Sequence, residues 1–154
     1  MAGPMPWNAA RAADIIAAHR AMPGPALPIL HALQAEFGYV PPQATAAVAD
    51  ALNLTQAEVH GIVTFYHDFR RTLPGRRVLR LCRAEACQSM GGSALSEAVL
   101  ARLRIGWGET TDDGALTVEA VYCLGLCATA PAALLDGEPL GRLTESGLYA
   151  VLGT

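Results

Sequence analysis

The sequence predicts an α+β protein in which an N-terminal helical bundle, residues 1–73, precedes a small α/β domain, residues 74–154. Three observations support this prediction. Before Leu73-Pro74-Gly75 the apolar residues recur at helical spacing, whereas after it short alternating segments typical of strands appear. In addition, 52% of the 154 residues are hydrophobic and only 16% are charged, so the chain can bury a core.

The first half begins with two expected helices. Asn8 can cap the first one, which runs to about residue 21 and is broken by Met22-Pro23-Gly24-Pro25. The second helix covers about residues 26–37, and Gly38 is placed to end it.

Two more helices are expected before the spacing of apolar residues changes from helical to strand-like. Pro41 and Pro42 suit the first turn of a third helix that extends to about residue 52. Thr55 and Glu58 have the spacing of a capping box, which predicts the start of a fourth helix ending near residue 66.

The second half predicts the order β-α-β-β-β-α around a small sheet. The dipeptides Asp113-Gly114 and Asp136-Gly137 indicate turns, the second of them inside a tight hairpin. Thr144 can cap the last helix. The preceding segments are, in chain order, strand 76–82, helix 94–103 with its start near Ser93, and strands 116–122, 132–135 and 139–143.

Charge and composition exclude several classes of function. A net charge of −3 and an aromatic content of 6% argue against a nucleic-acid binder. The N-terminal residues lack the pattern of a secretory signal. The longest apolar stretch, 120–135, is interrupted by Thr129 and Pro131 and is shorter than the ~20 residues of a spanning helix. We therefore expect a cytoplasmic protein that does not insert into a membrane.

The four cysteines carry the clearest chemical signal. They form the pattern Cys82-x4-Cys87, then 35 intervening residues, then Cys123-x3-Cys127. Each pair follows a predicted strand, so two loops at one edge of the sheet can converge. Four thiolates in a reducing compartment match a [2Fe–2S] cluster, in which each iron takes two cysteines. The sequence predicts that these four residues bind such a cluster.

Other uses of four cysteines remain open alternatives. A structural zinc site also takes four thiolates, although its pairs usually have x2 spacing. Two disulfides would require an oxidising compartment. A thioredoxin-type dithiol requires Cys-x-x-Cys, which this sequence lacks.

The remaining polar groups offer weaker candidates. All four histidines fall in the helical half, which favours core or surface positions over metal ligation. A basic run spans residues 70–83, and it is either a solvated face or a docking patch for an acidic partner. The acidic residues between 109 and 119 are expected to form a solvated loop. We find no nucleophile–base pair and no flavin or nicotinamide fingerprint, so no catalytic site is expected on this chain. The histidines are His19, His31, His60 and His67.

Two cysteine-bearing segments resemble a known family, the thioredoxin-like [2Fe–2S] ferredoxins. They are Leu81-Cys82-Arg83-Ala84-Glu85-Ala86-Cys87-Gln88-Ser89-Met90-Gly91 and Tyr122-Cys123-Leu124-Gly125-Leu126-Cys127-Ala128-Thr129-Ala130-Pro131. The helical half also fits, through Phe37-Gly38-Tyr39-Val40-Pro41 and Val59-His60-Gly61-Ile62-Val63-Thr64-Phe65-Tyr66. More narrowly, the chain resembles the small subunit of complex I type NADH dehydrogenase modules. The sequence of the first cysteine loop is most similar to the corresponding segment in the gamma subunit of molybdenum-containing, NAD-dependent formate dehydrogenases.

The resemblance implies a thioredoxin-like α/β domain and a role in electron transfer. It implies a partner subunit that binds FMN and NAD, and beyond it a catalytic subunit with a molybdenum cofactor and iron–sulfur clusters. The helical half would then dock the partner. The equivalent subunit of complex I or of a bidirectional NAD-reducing hydrogenase is an alternative within the family. A free-standing ferredoxin-like or zinc-binding adaptor is an alternative from another class.

Overall fold

The chain forms two compact units in a computed structural model, which describes residues 6–153. The first unit ends at Leu73 and the second begins at Pro74. The first unit is entirely helical, and the second combines helices with a four-stranded sheet. The predicted α+β class is confirmed. The helices of the first unit are α1 (Ala9–His19), α2 (Ala26–Phe37), α3 (Pro42–Leu52) and α4 (Gln56–Phe65).

The ends of these helices follow local sequence signals. The Asn8 side chain accepts from the backbone N–H of Arg11 at the start of α1. Gly38 ends α2 in the left-handed conformation, with φ of 81°. At the start of α4, Thr55 and Glu58 form the predicted capping box, in which each side chain accepts from the backbone N–H of the other.

All four helices contribute to the core of the first unit, and α2 contributes its most deeply buried stripe. Its residues Ile29, Leu30, Leu33 and Phe37 have no exposed surface. Trp7 covers Phe37, with ring centroids 5.0 Å apart. Burial of this apolar stripe stabilises the bundle, because each fully buried side chain of this size contributes roughly 1.5–3 kcal/mol.

The Gln34 side chain binds the backbone of the segment after α4, whose Phe69 is also buried in the core of the bundle. Its Nε2 donates to the carbonyl oxygen of Asp68 across 2.7 Å, and its Oε1 accepts from the backbone N–H of Arg70 across 2.6 Å. The carbonyl oxygen of Arg70 in turn accepts from the N–H of Val40. An irregular segment is thereby fixed through its own backbone groups.

The second unit has a sheet with strand order β2-β1-β3-β4. β1 and β2 are parallel, whereas β3 is antiparallel to both of its neighbours. The strands are β1 (Arg77–Cys82), β2 (Leu116–Val121), β3 (Ala133–Leu135) and β4 (Glu138–Leu140), and the helices are α5 (Glu85–Ser89), α6 (Gly92–Leu103) and α7 (Glu145–Leu152).

Helices α6 and α7 and the sheet share a separate core. Leu79 of β1, Val99 of α6, Val118 of β2 and Leu148 of α7 are all fully buried in it. The predicted β-α-β-β-β-α order is present, with two additions. These are the short helix α5 and a single 3₁₀ turn, Cys127–Thr129.

Candidate metal centre

The first cysteine pair lies at the end of β1. Cys82 is the last residue of that strand, and its backbone N–H donates to the carbonyl oxygen of Ala132 across 3.1 Å. Cys87 lies within α5, not in an open loop as the sequence suggested. A five-residue helix is too short to produce a periodic apolar pattern, which explains why it was missed. Both side chains are buried.

The second pair follows β2 and is exposed. Cys123 has a φ of 90°, in the left-handed region that non-glycine residues rarely adopt. This turn lets the backbone N–H of Gly125 approach the Cys123 sulfur, at 3.4 Å. Cys127 begins the 3₁₀ turn.

Parallel pairing of β1 and β2 brings the two cysteine segments together. Cys82 lies opposite Val121 in the register, and the N–H of Arg83 donates to the carbonyl oxygen of Val121 across 2.7 Å. Both strands therefore end at the same edge of the sheet. Apolar residues surround the site, because Cys82, Cys87 and Ala132 form a small buried cluster against which Ala84, Val121, Leu124, Leu126 and Ala130 pack.

The two buried thiols have opposite pKa shifts. Burial raises the pKa of Cys82, but hydrogen bonds outweigh it and lower this pKa overall. Their donors are the Ala84 N–H, the Cys87 thiol and the N–H groups of Cys123 and Leu124. The pKa of Cys87 is raised by burial and by its hydrogen bond with Cys82, despite an opposing bond from the Ala132 N–H. Cys82 is thus the thiol of this pair that more readily becomes a thiolate.

The exposed pair interacts in the same way. The pKa of Cys127 is raised first by a hydrogen bond and then by a Coulombic interaction with the Cys123 side chain, with smaller effects of burial and of Cys82. Charge on Cys127 also raises the pKa of Cys87. Electrostatic interactions therefore connect the two cysteine pairs. Within residues 6–153, no group of three or more histidine, cysteine or acidic side chains is arranged to hold a single metal ion.

The donor set fits a [2Fe–2S] cluster. All four cysteines are free thiols, a soft ligand class that iron–sulfur clusters require. They lie as two pairs, which corresponds to two ligands for each of two irons. Backbone N–H groups near the sulfurs would stabilise negative charge on the cluster.

The rim of this site carries two exposed apolar side chains. Tyr122, next to Cys123, is 73% exposed, and Met90, just after α5, is 63% exposed. Neither residue is predicted from the sequence to be a site residue. Only their positions beside the cysteines could have drawn attention to them, since a single exposed apolar residue is ordinary.

The arginines near β1 are mostly paired with groups of their own unit. Arg77 forms an ion pair with Asp136 at 3.0 Å, and Arg80 forms one with Glu119 at 2.9 Å. Arg76 donates to the carbonyl oxygen of Asp113. Arg83 instead lies over the ring of Trp107, 4.9 Å from its centroid. The charges of Arg77 and Arg80 are therefore neutralised within the second unit.

The histidines and the acidic loop have local structural contacts. The Nδ1 of His19 lies 2.8 Å from the carbonyl oxygen of Ile15, and the ring of His31 packs on Phe69. In the loop, Glu109 accepts from the Gly106 N–H, and Asp113 accepts from the Ala115 N–H. These acids shape turns.

Comparisons with known proteins find relatives over most of this chain. The family model described as thioredoxin-like [2Fe-2S] ferredoxin matches residues 12–154. A NADH-quinone oxidoreductase subunit of Pseudomonas aeruginosa is 33% identical over 123 residues, which are 80% of this chain and 74% of that protein. The HndA subunit of the NADP-reducing hydrogenase of Solidesulfovibrio fructosivorans is 31% identical over 80% of this chain and 72% of its own length.

A solved structure gives the same result for the fold. One chain of an NAD⁺-reducing [NiFe]-hydrogenase in the air-oxidised state superposes with a TM-score of 0.69 and 30% sequence identity. The match covers 83% of this chain but only 22% of that one. Separately, no helix among residues 6–153 is long and apolar enough to cross a membrane.

Proposed function

This chain belongs to the thioredoxin-like [2Fe–2S] ferredoxin family, and on that premise we propose that Cys82, Cys87, Cys123 and Cys127 hold its [2Fe–2S] cluster. The observation that carries this proposal is the meeting of two free-thiol pairs at one edge of the sheet. A bound [2Fe–2S] cluster accepts and releases one electron at a time.

The residues around the thiols have separate tasks in this proposal. The buried pair, Cys82 and Cys87, excludes water from one side of the site. The Gly125 N–H faces the Cys123 sulfur, where it stabilises negative charge. The exposed pair lies at the surface, from which electrons can pass to a partner protein.

We further propose that the chain is the electron-transfer subunit of a soluble, NAD-dependent formate dehydrogenase. The support is the first cysteine loop, residues 82–91, whose sequence is similar to that of the gamma subunit of these enzymes. In such a complex the partner binds FMN and NAD, and a further subunit holds a molybdenum cofactor and iron–sulfur clusters. The chain contributes no catalytic site of its own.

Two related assemblies are the alternatives. The relatives named as NADH-quinone oxidoreductase and NADP-reducing hydrogenase subunits are 31–33% identical to this chain. Their names favour a complex I type or hydrogenase module as strongly as the sequence of the first cysteine loop favours formate dehydrogenase. The reaction that feeds electrons to the complex is therefore what the experiment must identify.

The helical unit, residues 1–73, is proposed to dock the partner subunit. Phe65 at the end of α4 is 73% exposed and the adjacent Tyr66 is 43% exposed. Their rings pack edge to face, and Tyr66 contacts the buried Phe69 in the same manner. Aromatic side chains fixed from beneath are typical anchors of protein–protein interfaces. We also propose a cytoplasmic location, since thiolate ligands persist in a reducing compartment.

The cluster proposal is tested on the purified full chain by iron and sulfide assays and by EPR after reduction with dithionite. Serine at each of the four cysteines, for example Cys87→Ser, should abolish or strongly reduce the [2Fe–2S] signal. Glu85→Ser changes an exposed residue of the same segment and should keep it. Zinc in place of iron, with no sulfide, would contradict the proposal.

The parent reaction is tested on the intact complex purified through this chain. We expect formate-dependent reduction of NAD⁺, and its loss from complexes that carry Cys87→Ser. Reduction of NAD⁺ by hydrogen, or oxidation of NADH by a quinone, would assign the chain to one of the alternatives.

A further inference from the structure

Arg83 stands apart from the other arginines of its strand region. Arg77 and Arg80 are neutralised by carboxylates. Among residues 6–153, Arg83 has no carboxylate within salt-bridge distance and contacts the ring of Trp107 instead. Its side chain is only half-buried. An aromatic ring holds a cation in place without cancelling its charge, unlike a carboxylate.

The backbone of Arg83 is fixed within the cysteine site. Its N–H donates to the carbonyl oxygen of Val121, and its own carbonyl oxygen accepts from Nε2 of Gln88 across 2.6 Å. Arg83 directly follows Cys82, so chain dimensions keep its guanidinium within on the order of 12 Å of that sulfur. At this separation an unpaired charge still influences a redox group, because partial burial weakens screening.

Trp107 is itself held on both sides. The N–H of the preceding Gly106 donates to the Glu109 carboxylate across 2.6 Å, and the N–H of the following Gly108 donates to the carbonyl oxygen of Val118 across 2.8 Å. The indole also packs against the core of the second unit. The ring is therefore a fixed support for the Arg83 side chain.

We propose that Trp107 is a positioning residue that holds the unpaired Arg83 charge beside the cluster and thereby favours the reduced, more negative state. The inference rests on the proposed ligands. It assigns to Arg83 and Trp107 a part in setting the reduction potential of this chain.

The test is an EPR-monitored redox titration of the purified full chain at low ionic strength. Arg83→Gln should shift the midpoint potential to a more negative value. Arg83→Lys, which keeps the charge but not the planar stacking, should shift it less. The matched control is Arg77→Gln, which makes the same change in net charge at the opposite end of β1, roughly 16 Å along the strand from Cys82, and should therefore shift the potential much less than Arg83→Gln does.

Trp107 is tested through its dependence on Arg83. Trp107→Leu should shift the potential in the same direction as Arg83→Gln, and the double variant should match Arg83→Gln alone, because Trp107 acts through Arg83. Additive shifts, or an Arg83→Gln potential equal to that of wild type, would overturn the inference. If Trp107→Leu does not fold, the inference is tested by the two Arg83 variants, and equal shifts for Arg83→Gln and Arg83→Lys would overturn it. Absence of a [2Fe–2S] signal in the wild type would instead reject the proposed function.

Discussion

A side-chain carbon on Gly92 would lie 2.5 Å from the carbonyl oxygen of Cys87. The same carbon would lie 2.9 Å from the Cys87 carbonyl carbon. Backbone atoms cannot move aside as the end of a flexible side chain can. The first residue of α6 is therefore tied to the position of a proposed cluster ligand.

Gly92→Ala should accordingly displace Cys87 and lower the iron content per chain. Overpacking of this kind costs about 1–3 kcal/mol of unfolding free energy. The matched control is Gly61→Ala in α4, where an added carbon meets nothing within 4 Å and helix propensity improves. Iron assays and chemical denaturation measure both effects. A Gly92→Ala protein with full iron content and unchanged stability would show that the segment adjusts freely.

The capping box of α4 should give the protein an acid-sensitive component of stability. Hydrogen bonds from the backbone N–H and then the hydroxyl of Thr55, each 2.8 Å long, lower the pKa of Glu58. A carboxylate with a lowered folded-state pKa contributes stability above its unfolded pKa of about 4.3, and this contribution is lost as pH falls through the folded pKa.

Glu58→Gln should therefore flatten the decline in stability below about pH 4.3. Urea denaturation followed by circular dichroism at several pH values measures this decline. Asp50→Asn, which alters an exposed carboxylate of α3, serves as the control. Parallel pH profiles for wild type and Glu58→Gln would contradict the prediction.

Tyr149 buries a hydroxyl that has no partner in hydrogen-bond geometry among the described residues, although the Glu145 carboxylate is near enough to help burial raise its pKa. Its ring supports the guanidinium of Arg102, 4.3 Å from the ring centroid. Because an unpaired buried hydroxyl is destabilising, Tyr149→Phe should leave the free energy of unfolding, measured by chemical denaturation, unchanged or raise it by up to about 1 kcal/mol. Tyr149→Ala should instead lower it by about 3–5 kcal/mol through loss of packing. A clear destabilisation by Tyr149→Phe would mean that the hydroxyl donates to Glu145 in solution.

Phe65 should contribute to partner binding without contributing to folding. Its side chain is 73% exposed, so Phe65→Ser should change the stability of the free chain by less than about 0.5 kcal/mol. As an interface anchor, it should weaken binding to the flavin subunit by about 2 kcal/mol, or roughly thirtyfold. Met22→Ser, at a residue that is 45% exposed in the same unit, is the control. Equal affinities for Phe65→Ser and wild type, by calorimetry or co-purification, would place the interface elsewhere.

Local signals in the sequence predicted much of the fold. The Thr55 and Glu58 spacing predicted the capping box, and Asp136-Gly137 predicted the hairpin turn, where both residues have positive φ. These features depend on contacts within four residues, which a sequence displays directly. The convergence of the cysteines was also predictable, because both pairs follow strands.

Other features depend on long-range contacts or on strain, and no local pattern of residues indicates them. The ion partners of Arg77 and Arg80 lie 59 and 39 residues further along the chain. Cys123 adopts the left-handed conformation, which its residue type does not predict, because cysteine rarely has a positive φ. The sequence therefore leaves two interpretations of the basic run open, and no local pattern indicates these two ion pairs.

The register of β1 and β2 has a consequence for how chain length can vary. Six residue pairs, ending with Cys82 opposite Val121, determine where both cysteine segments begin. An insertion at the turn 112–114 lengthens the chain without moving them, whereas one extra residue inside β2 would advance Cys123 by about 3.3 Å and turn it to the opposite face. Insertions and deletions among related sequences should therefore be found at that turn and not inside β2. The gap of 35 residues between the cysteine pairs can change while the site remains intact.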